Sequence, residues 1–141
     1  MIFKSFEINK INKKINELIL FYGKNEGLKN EALNILIKDE NNIQNYEEKE
    51  ILDNENNFIE NILSKSLFEK EKFIVIKRTT DKILKVIETL HLKNLEDTTI
   101  ILNSDNLEKK SKLRSLFEKD KKLVCVPFYP DNDQTLSKLV Y

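Results

Sequence analysis

The sequence predicts a three-layer α/β sandwich built around about five mainly parallel strands. Short, continuous apolar runs rich in β-branched residues recur along the chain, and such runs are typical of strands buried on both faces of a parallel sheet. Helical segments with one apolar face separate these runs, which favours right-handed βαβ units. The chain has 141 residues, so we expect residues 1–141 to form a single domain.

The first half of the chain alternates helices with strands. Ile8, Ile11 and Ile15 recur at helical spacing and predict a short amphipathic helix before the apolar strand 18–22. A second helix is expected from about residue 25 to residue 38, because apolar residues at positions 28, 32 and 36, with their neighbours at 33 and 35, form one buried stripe. We then expect a polar strand at 43–46 and a helix with an apolar face formed by Phe58, Ile59, Ile62 and Leu63.

The second half contains three buried strands, at 73–76, 98–102 and 123–126, separated by helices at about 81–90 and 107–119. Pro127 and Pro130 close the last strand, and Asp131 can cap a final helix with an apolar face at positions 136, 139 and 140. The chain stops inside that helix, so we expect it to be one domain of a longer protein.

Composition and charge exclude several classes of protein. Lys and Arg total 24, as do Asp and Glu, so the net charge supplies no field that would draw the chain to DNA or to an anionic membrane. No apolar run has the length of a secretion signal or a membrane span. The single cysteine, Cys125, lies in an apolar run and is expected to be buried and unreactive in a central strand. These features favour a cytoplasmic location.

The glycine turn after the first strand occupies the place of a phosphate-binding loop but lacks most of its chemistry. A P-loop follows the pattern G-x-x-x-x-G-K-[ST], in which backbone N–H groups wrap the phosphates and the hydroxyl holds Mg²⁺. Counted from Gly23, Lys29 fills the lysine position, whereas leucine replaces the second glycine and asparagine the hydroxyl residue. Glu26 adds a negative charge where phosphate would bind. The sequence therefore predicts a degenerate nucleotide loop containing Gly23, Gly27 and Lys29.

The ends of the neighbouring strands do not supply the rest of an ATPase site. Such a site needs an acidic residue at a strand end to hold Mg²⁺ and orient water, but strand 73–76 is followed by Lys77 and Arg78. Asn103, after strand 98–102, could sense phosphate, although the polar run that it begins is more typical of a loop. We therefore expect no catalytic residue, no metal and no cofactor.

The only histidine and the most basic segment are interpreted as structural. As the single histidine, His91 cannot form a cluster of histidine metal ligands within this chain, and we expect it at the C-terminus of a helix. The basic run 109–114, with Leu113 as its apolar residue, is interpreted as a solvated helix face rather than a phosphate contact.

An apolar pair, Leu67 and Phe68, stands in a strongly charged connection between a predicted helix and a buried strand. The pair either tucks down as a lid on the core or projects as an anchor for a partner. From the residues alone, the lid is the favoured interpretation.

Several short motifs in a fixed order resemble a known family. They are a degenerate Gly-x-x-x-Gly turn after an apolar strand, a Ser-Leu-Phe turn just before an Ile/Val strand, and Lys-x-Lys-Leu followed by a Val-Cys-Val strand and a proline. Together they resemble the N-terminal domain of the delta subunit of bacterial DNA polymerase III, over essentially the whole chain. Each motif is weak by itself, so the resemblance depends on their order and spacing.

The resemblance implies an AAA+-type module without ATPase activity of its own, acting in the clamp-loader complex of the polymerase. Carried over by motif, Leu67 and Phe68 would enter the pocket of the ring-shaped beta sliding clamp, while Ser66 and Lys65 shape the turn. Clamp-binding peptides often carry Gln three residues before the Leu, and Ser64 stands there in this chain. This departure weakens one polar contact and leaves the apolar anchor intact.

The same resemblance implies the partners. They are the beta clamp, which would be opened for loading on primed DNA, and sister clamp-loader subunits, which would bind through a C-terminal region beyond this chain. DNA would be contacted only indirectly, and no membrane is involved. The alternative is a degenerate P-loop protein that binds a nucleotide through Lys29. A phosphorelay receiver domain has the same α/β rhythm, but Lys77 occupies the place of its phospho-accepting Asp.

Overall fold

One five-stranded parallel sheet forms the centre of the molecule and confirms the predicted fold class. A computed structural model of the chain describes residues 1–12, 17–37, 43–64, 72–93, 95 and 98–128. All strand pairings are parallel, in the order β2-β3-β4-β1-β5. The strands are β1 (Leu18–Tyr22), β2 (Ile43–Glu47), β3 (Lys72–Thr79), β4 (Thr98–Ser104) and β5 (Val124–Pro127).

Helices cover both faces of this sheet. The α-helices are α1 (Glu26–Ile37), α2 (Glu48–Asp53), α3 (Glu55–Leu63), α4 (Leu84–His91) and α5 (Lys112–Lys119). Two short 3₁₀ helices, Ser5–Lys10 and Asp81–Ile83, precede β1 and α4. Among these described helices, none combines the length and the apolar character that crossing a bilayer would require.

The side chains of the central strands alternate between two apolar clusters. Leu18, Leu20 and Tyr22 of β1 face the cluster that contains residues of α2, α3, α4 and α5. Ile19 and Phe21 point to the opposite face, where α1 and the first 3₁₀ helix supply the covering residues. Because both faces are covered, the strands need apolar residues at every position. The continuous apolar runs in the sequence are therefore explained by the three layers.

Several features differ from the prediction. The helix expected through Ile8 and Ile11 is a 3₁₀ helix that ends at Lys10, and Ile35, expected in the buried stripe of α1, is exposed.

The sequence analysis missed α2, a six-residue helix separated from α3 by Asn54, whose φ of −153° and ψ of 63° are not helical. The helix expected over 107–119 begins only at Lys112, since the Ser111 side chain caps it by accepting a hydrogen bond from Arg114 N. Strands β3 and β4 extend further than their apolar runs. Ile15 and the expected final helix lie outside the described residues.

Cys125 is buried as predicted, but the prediction of a central strand was wrong. Strand β5 pairs only with β1 and lies at the edge of the sheet. The first residues of the chain cover that edge, because Phe3 N donates to Cys125 O at 2.9 Å and Cys125 N donates to Met1 O at 2.9 Å. This pairing keeps the edge from presenting unpaired backbone groups. Burial raises the pKa of the Cys125 thiol to about 11.

Candidate functional site

The turn between β1 and α1 lies at the carboxyl edge of the sheet, which is where open α/β folds bind their ligands. Gly23 has a φ of +120°, and a Cβ on it would lie 2.0 Å from the carbonyl oxygen of Phe128. Phe128 N in turn donates to Tyr22 O at 2.8 Å. A glycine is therefore required at position 23 because the chain after β5 passes so close to it. This requirement does not depend on phosphate binding.

The backbone donors at the start of α1 are largely occupied. Asn25 caps the helix, because its Oδ1 accepts from Leu28 N at 3.1 Å and its carbonyl accepts from Lys29 N at 3.0 Å. Glu26 N donates to Lys24 O at 3.0 Å. A phosphate cradle depends on such N–H groups being free. Gly27 lies inside the helix, where a Cβ would meet only the Asn25 side chain at an ordinary contact distance of 3.7 Å, so no turn requires a glycine there.

Lys29 is buried, with a side chain only 1% exposed. Its Nζ donates to Ser104 O at the end of β4, 3.0 Å away, and lies 2.8 Å from Glu26 Oε1. Both partners belong to the protein, so the ammonium links α1 to β4 and neutralises Glu26. The residue at the lysine position of the degenerate loop thus has a structural role in this conformation.

A β-bulge replaces the acidic strand end that an ATPase would carry. The register of β3 against β4 shifts between Lys77 and Thr79, and the intervening Arg78 has a φ of +57°. Lys77 and Arg78 are both exposed. Thr79 and Ser104 are buried and share a hydroxyl–hydroxyl hydrogen bond. The polar residues after the apolar run of β4, which the sequence analysis interpreted as a loop, thus continue the strand as far as Ser104.

A cleft of about 600 Å³ opens at this edge. Residues of α1 and the ends of β3 and β4 line it, among them Lys29, Lys77, Arg78, Asn103 and Asp105. Asn103 therefore does lie where a ligand could reach it. Within the described part of the chain, no group of three or more His, Cys, Asp or Glu side chains could hold a metal ion.

Two carboxylates that the sequence analysis did not single out hold the segment after β3. Glu48 at the start of α2 accepts hydrogen bonds from Thr80 N at 2.8 Å and from the Thr80 hydroxyl. Asp81 accepts from Ser111 Oγ at 2.5 Å and from the backbone N–H groups of the first residues of α5. The Ser111 hydroxyl, helped by these N–H groups, lowers the pKa of Asp81. No local pattern marks such long-range caps.

The basic run is less uniform than a solvated helix face. Lys109 and Lys110 are exposed and precede α5. Arg114 instead packs over the Tyr22 ring at 5.0 Å, donates to Leu107 O at 2.8 Å and contacts Glu118 at 3.3 Å. The interpretation as a solvated face was therefore wrong for Arg114, which stacks on an aromatic ring as a guanidinium can.

His91 ends α4, as predicted from its place in the sequence. Its Nε2 lies 2.8 Å from a carboxylate oxygen of Asp120, the residue that follows α5. The pair lies away from the cleft, at the amino-terminal side of the sheet near Leu18 and Leu123. It joins the ends of two helices that pack on the same face.

Comparison with solved structures shows the same fold in a DNA clamp loader protein. The Bacillus subtilis DNA clamp loader delta protein (YqeN) superposes with a TM-score of 0.72 and 15% sequence identity. The match covers 96% of this chain and 45% of that protein, so the chain spans a little under half of its length. No protein-family model and no curated protein matches the sequence. At this identity, the likeness establishes a clamp-loader-delta-like fold and nothing finer.

The residues assigned to clamp contact by resemblance, Leu67, Phe68, Ser66 and Lys65, lie outside the described residues. Their neighbours are described: α3 ends at Leu63 and β3 begins at Lys72. The segment therefore connects a helix to a buried strand, which is the placement that the sequence analysis expected. Its contact with a clamp stays a prediction.

Proposed function

We propose that this domain is the N-terminal module of a clamp-loader delta-type subunit, which binds the beta sliding clamp and helps to open it without hydrolysing ATP. The observation that carries the proposal is the fold likeness to a clamp loader delta protein over 96% of the chain. Sister subunits would bind through regions beyond this chain, within a three-domain subunit of the polymerase holoenzyme that acts in the cytoplasm.

The occupied carboxyl edge supports the absence of ATPase activity. Asn25 satisfies donors that a phosphate would need, and Lys29 is held by Ser104 O and Glu26. The end of β3 carries two cations where a carboxylate would bind Mg²⁺. A domain that has kept this architecture without its nucleotide chemistry is suited to binding and positioning a partner.

Leu67 and Phe68 are the proposed anchors of the clamp contact, with Ser66 and Lys65 shaping the turn. Burying a leucine and a phenylalanine at an interface contributes about 1.5–3 kcal/mol each, which is the size of a hot-spot pair. Such a pair anchors an interface but does not hold a large complex alone. Opening of the clamp would follow from the shape presented around the anchor, which favours the open conformation of the ring.

The decisive experiment measures clamp affinity and melting temperature of the Leu67→Ala/Phe68→Ala variant. We expect binding to the cognate clamp to weaken by about 2–5 kcal/mol, because the anchors are lost. On this proposal the melting temperature should change little, because side chains that serve a partner interface contribute little to the core of the free domain.

The matched control is Phe6→Ala/Leu92→Ala, which removes the same two side-chain types from positions that are 70% and 85% exposed. This control should leave both quantities nearly unchanged. The clamp-anchor assignment fails if Leu67→Ala/Phe68→Ala lowers the melting temperature strongly while clamp affinity stays at the wild-type value, since that result identifies the pair as a lid on the core.

A further inference from the structure

We propose that the cleft at the carboxyl edge of the sheet binds phosphate groups directly through Lys77 and Arg78, without a divalent cation. The chemical class is an anion with adjacent phosphates, supplied either as a free oligophosphate or as the phosphodiester backbone of a nucleic acid strand. This proposal does not depend on the proposed clamp contact.

The bulge in β3 places two consecutive cations on the surface. In a regular strand, neighbouring side chains point to opposite faces of the sheet. Here Lys77 is in register with Asn103 and Thr79 with Ser104, so Arg78 is the extra residue. As a result, both Lys77 and Arg78 are exposed and line the same cleft. Bulges often redirect side chains in this way beside functional sites.

The backbone of Arg78 is strained, and its surroundings maintain that strain. A φ of +57° is uncommon for a residue with a side chain and is natural for glycine. The bulge is held on its far side by the buried hydroxyl contact between Thr79 and Ser104 and by the bonds from Thr80 to Glu48. A strained position that carries an arginine instead of glycine points to a role for the side chain.

The charges around the cleft favour an anion over a metal complex. Lys29 and Glu26 neutralise each other at 2.8 Å. Arg78 is 84% exposed and makes only a loose contact with Glu47 at 3.6 Å. Asp105 is the remaining acid that lines the cleft, against the two cations. Two neighbouring cations repel Mg²⁺, whereas the arginine fork and the lysine ammonium bind phosphate oxygens directly.

The test is an NMR titration of the whole chain with inorganic pyrophosphate in the presence of EDTA. We expect amide shifts at residues 77–80 and 103–105, which return towards their free positions when Mg²⁺ is added in excess over EDTA and pyrophosphate together. Mg²⁺ competes with the two side chains for the phosphate oxygens, and Asp105 belongs to no group of three or more acidic, His or Cys side chains, among the described residues, that could hold the ion. Tighter binding with Mg²⁺ would overturn the proposal.

Parallel titrations identify the source of the phosphate. Amide shifts with pyrophosphate but not with an oligothymidylate support a free oligophosphate as the ligand. Amide shifts with the oligothymidylate support a nucleic acid backbone. An oligoglutamate peptide tests for carboxylates. If only this peptide binds, or if none of the three probes binds, the phosphate assignment is wrong.

Variants locate the site. Lys77→Ala/Arg78→Ala should weaken binding at least about tenfold, the loss expected for two charge-assisted contacts. Lys121→Ala/Lys122→Ala removes the same charge from exposed positions just before β5, at the amino end of the strands. This control should leave affinity unchanged. Equal losses of affinity in the two double variants would show that binding depends only on net charge, and the proposed site would then be wrong.

Arg78→Gly separates binding from folding. Glycine relieves the backbone strain, so this variant should melt at a higher temperature than the wild type, while its affinity falls by at least about threefold because one of the two contacts is lost. A more stable protein with undiminished affinity would show that Arg78 does not contact the anion. Clamp affinity should be unchanged in all of these variants, so failure here is distinguishable from failure of the clamp proposal.

Discussion

Gly23 and Gly27 have different structural roles, although the sequence pattern groups them in one loop. Gly23 is fixed by a φ of +120° and by the nearness of the Phe128 carbonyl. A Cβ on Gly27 would meet only the Asn25 side chain, at the ordinary contact distance of 3.7 Å. The conformational freedom of glycine is therefore used at the first position and costs helix stability at the second.

Alanine substitution should separate the two glycines. We expect Gly23→Ala to destabilise the domain by at least about 2 kcal/mol, through backbone strain and collision with the chain at Phe128. Gly27→Ala should stabilise it by about 0.5–1 kcal/mol, because alanine favours the helix. Urea denaturation of the two variants measures both changes. Destabilisation of similar size at both positions would contradict the packing described around Gly23.

Cys125 should react slowly with thiol reagents in the native state. Burial raises its pKa to about 11, so almost no thiolate exists near neutral pH, and the side chain is inaccessible. The labelling rate should rise by orders of magnitude in denaturing urea. Fast labelling of the folded protein would show that the first residues of the chain do not cover β5 as described.

At the scale of elements, the helices on one face are joined by capping contacts between distant segments. Asp81, at the start of a 3₁₀ helix, accepts hydrogen bonds from Ser111 and from the first backbone N–H groups of α5. A carboxylate at a helix N-terminus is favoured by both hydrogen bonding and the helix dipole. The start of α5 is therefore defined by a residue thirty positions earlier in the chain.

Asp81→Asn should reveal this cap through its pH dependence. The hydrogen bond from Ser111 lowers the pKa of Asp81 in the folded state, so the carboxylate stabilises the fold above the unfolded pKa. That contribution is lost as pH falls through the folded value. We expect Asp81→Asn to cost about 0.5–1 kcal/mol near neutral pH, a modest figure because the site is exposed to solvent.

The measurement is chemical denaturation of wild type and variant at several pH values. The difference in stability should shrink once the pH falls below about 4, the ordinary range for an aspartate. Asp105→Asn is the control variant. It removes a carboxylate whose Oδ1 accepts a hydrogen bond from the adjacent Asn106 N. A difference that stays constant across this pH range would mean that the charge of Asp81 does not stabilise α5.

At the scale of the whole molecule, the strand order brings the ends of β1, β3 and β4 together at one edge. In a nucleotide-binding domain, these ends would contribute the phosphate loop, the acidic residue and a sensing residue. Here they contribute a capped helix start, two exposed cations and a buried lysine linked to Ser104. The same architecture therefore positions side chains with different chemistry.

Calorimetric titration with Mg-ATP should detect neither binding nor hydrolysis, because the required donors and the metal ligand are replaced. Lys29→Met keeps the length of the side chain and removes the ammonium. It should destabilise the domain by about 1–3 kcal/mol, since the buried Ser104 carbonyl loses its partner. A micromolar dissociation constant for Mg-ATP that disappears in Lys29→Met would support the nucleotide-binding alternative.

The amino-acid sequence alone was sufficient to predict a sheet covered by helices on both faces. Strands that are covered on both faces must be apolar at each position, and helices on the surface must alternate apolar and polar faces, so local patterns were sufficient for β1, β3, β4, β5 and most helices. The burial of Cys125 followed from the same rule. The missing P-loop residues could also be recognised in the sequence, because that motif is local.

Only the tertiary structure decided what the carboxyl edge contains. Lys29 meets Ser104 across 75 positions of the chain, and Gly23 meets the carbonyl of Phe128. The bulge at Arg78 depends on the register of β3 against β4, and the place of β5 at the edge depends on the order of strands. Each of these features arises from contacts between distant segments, and local propensities do not encode such contacts. The chemistry of the site is therefore a property of the assembled sheet.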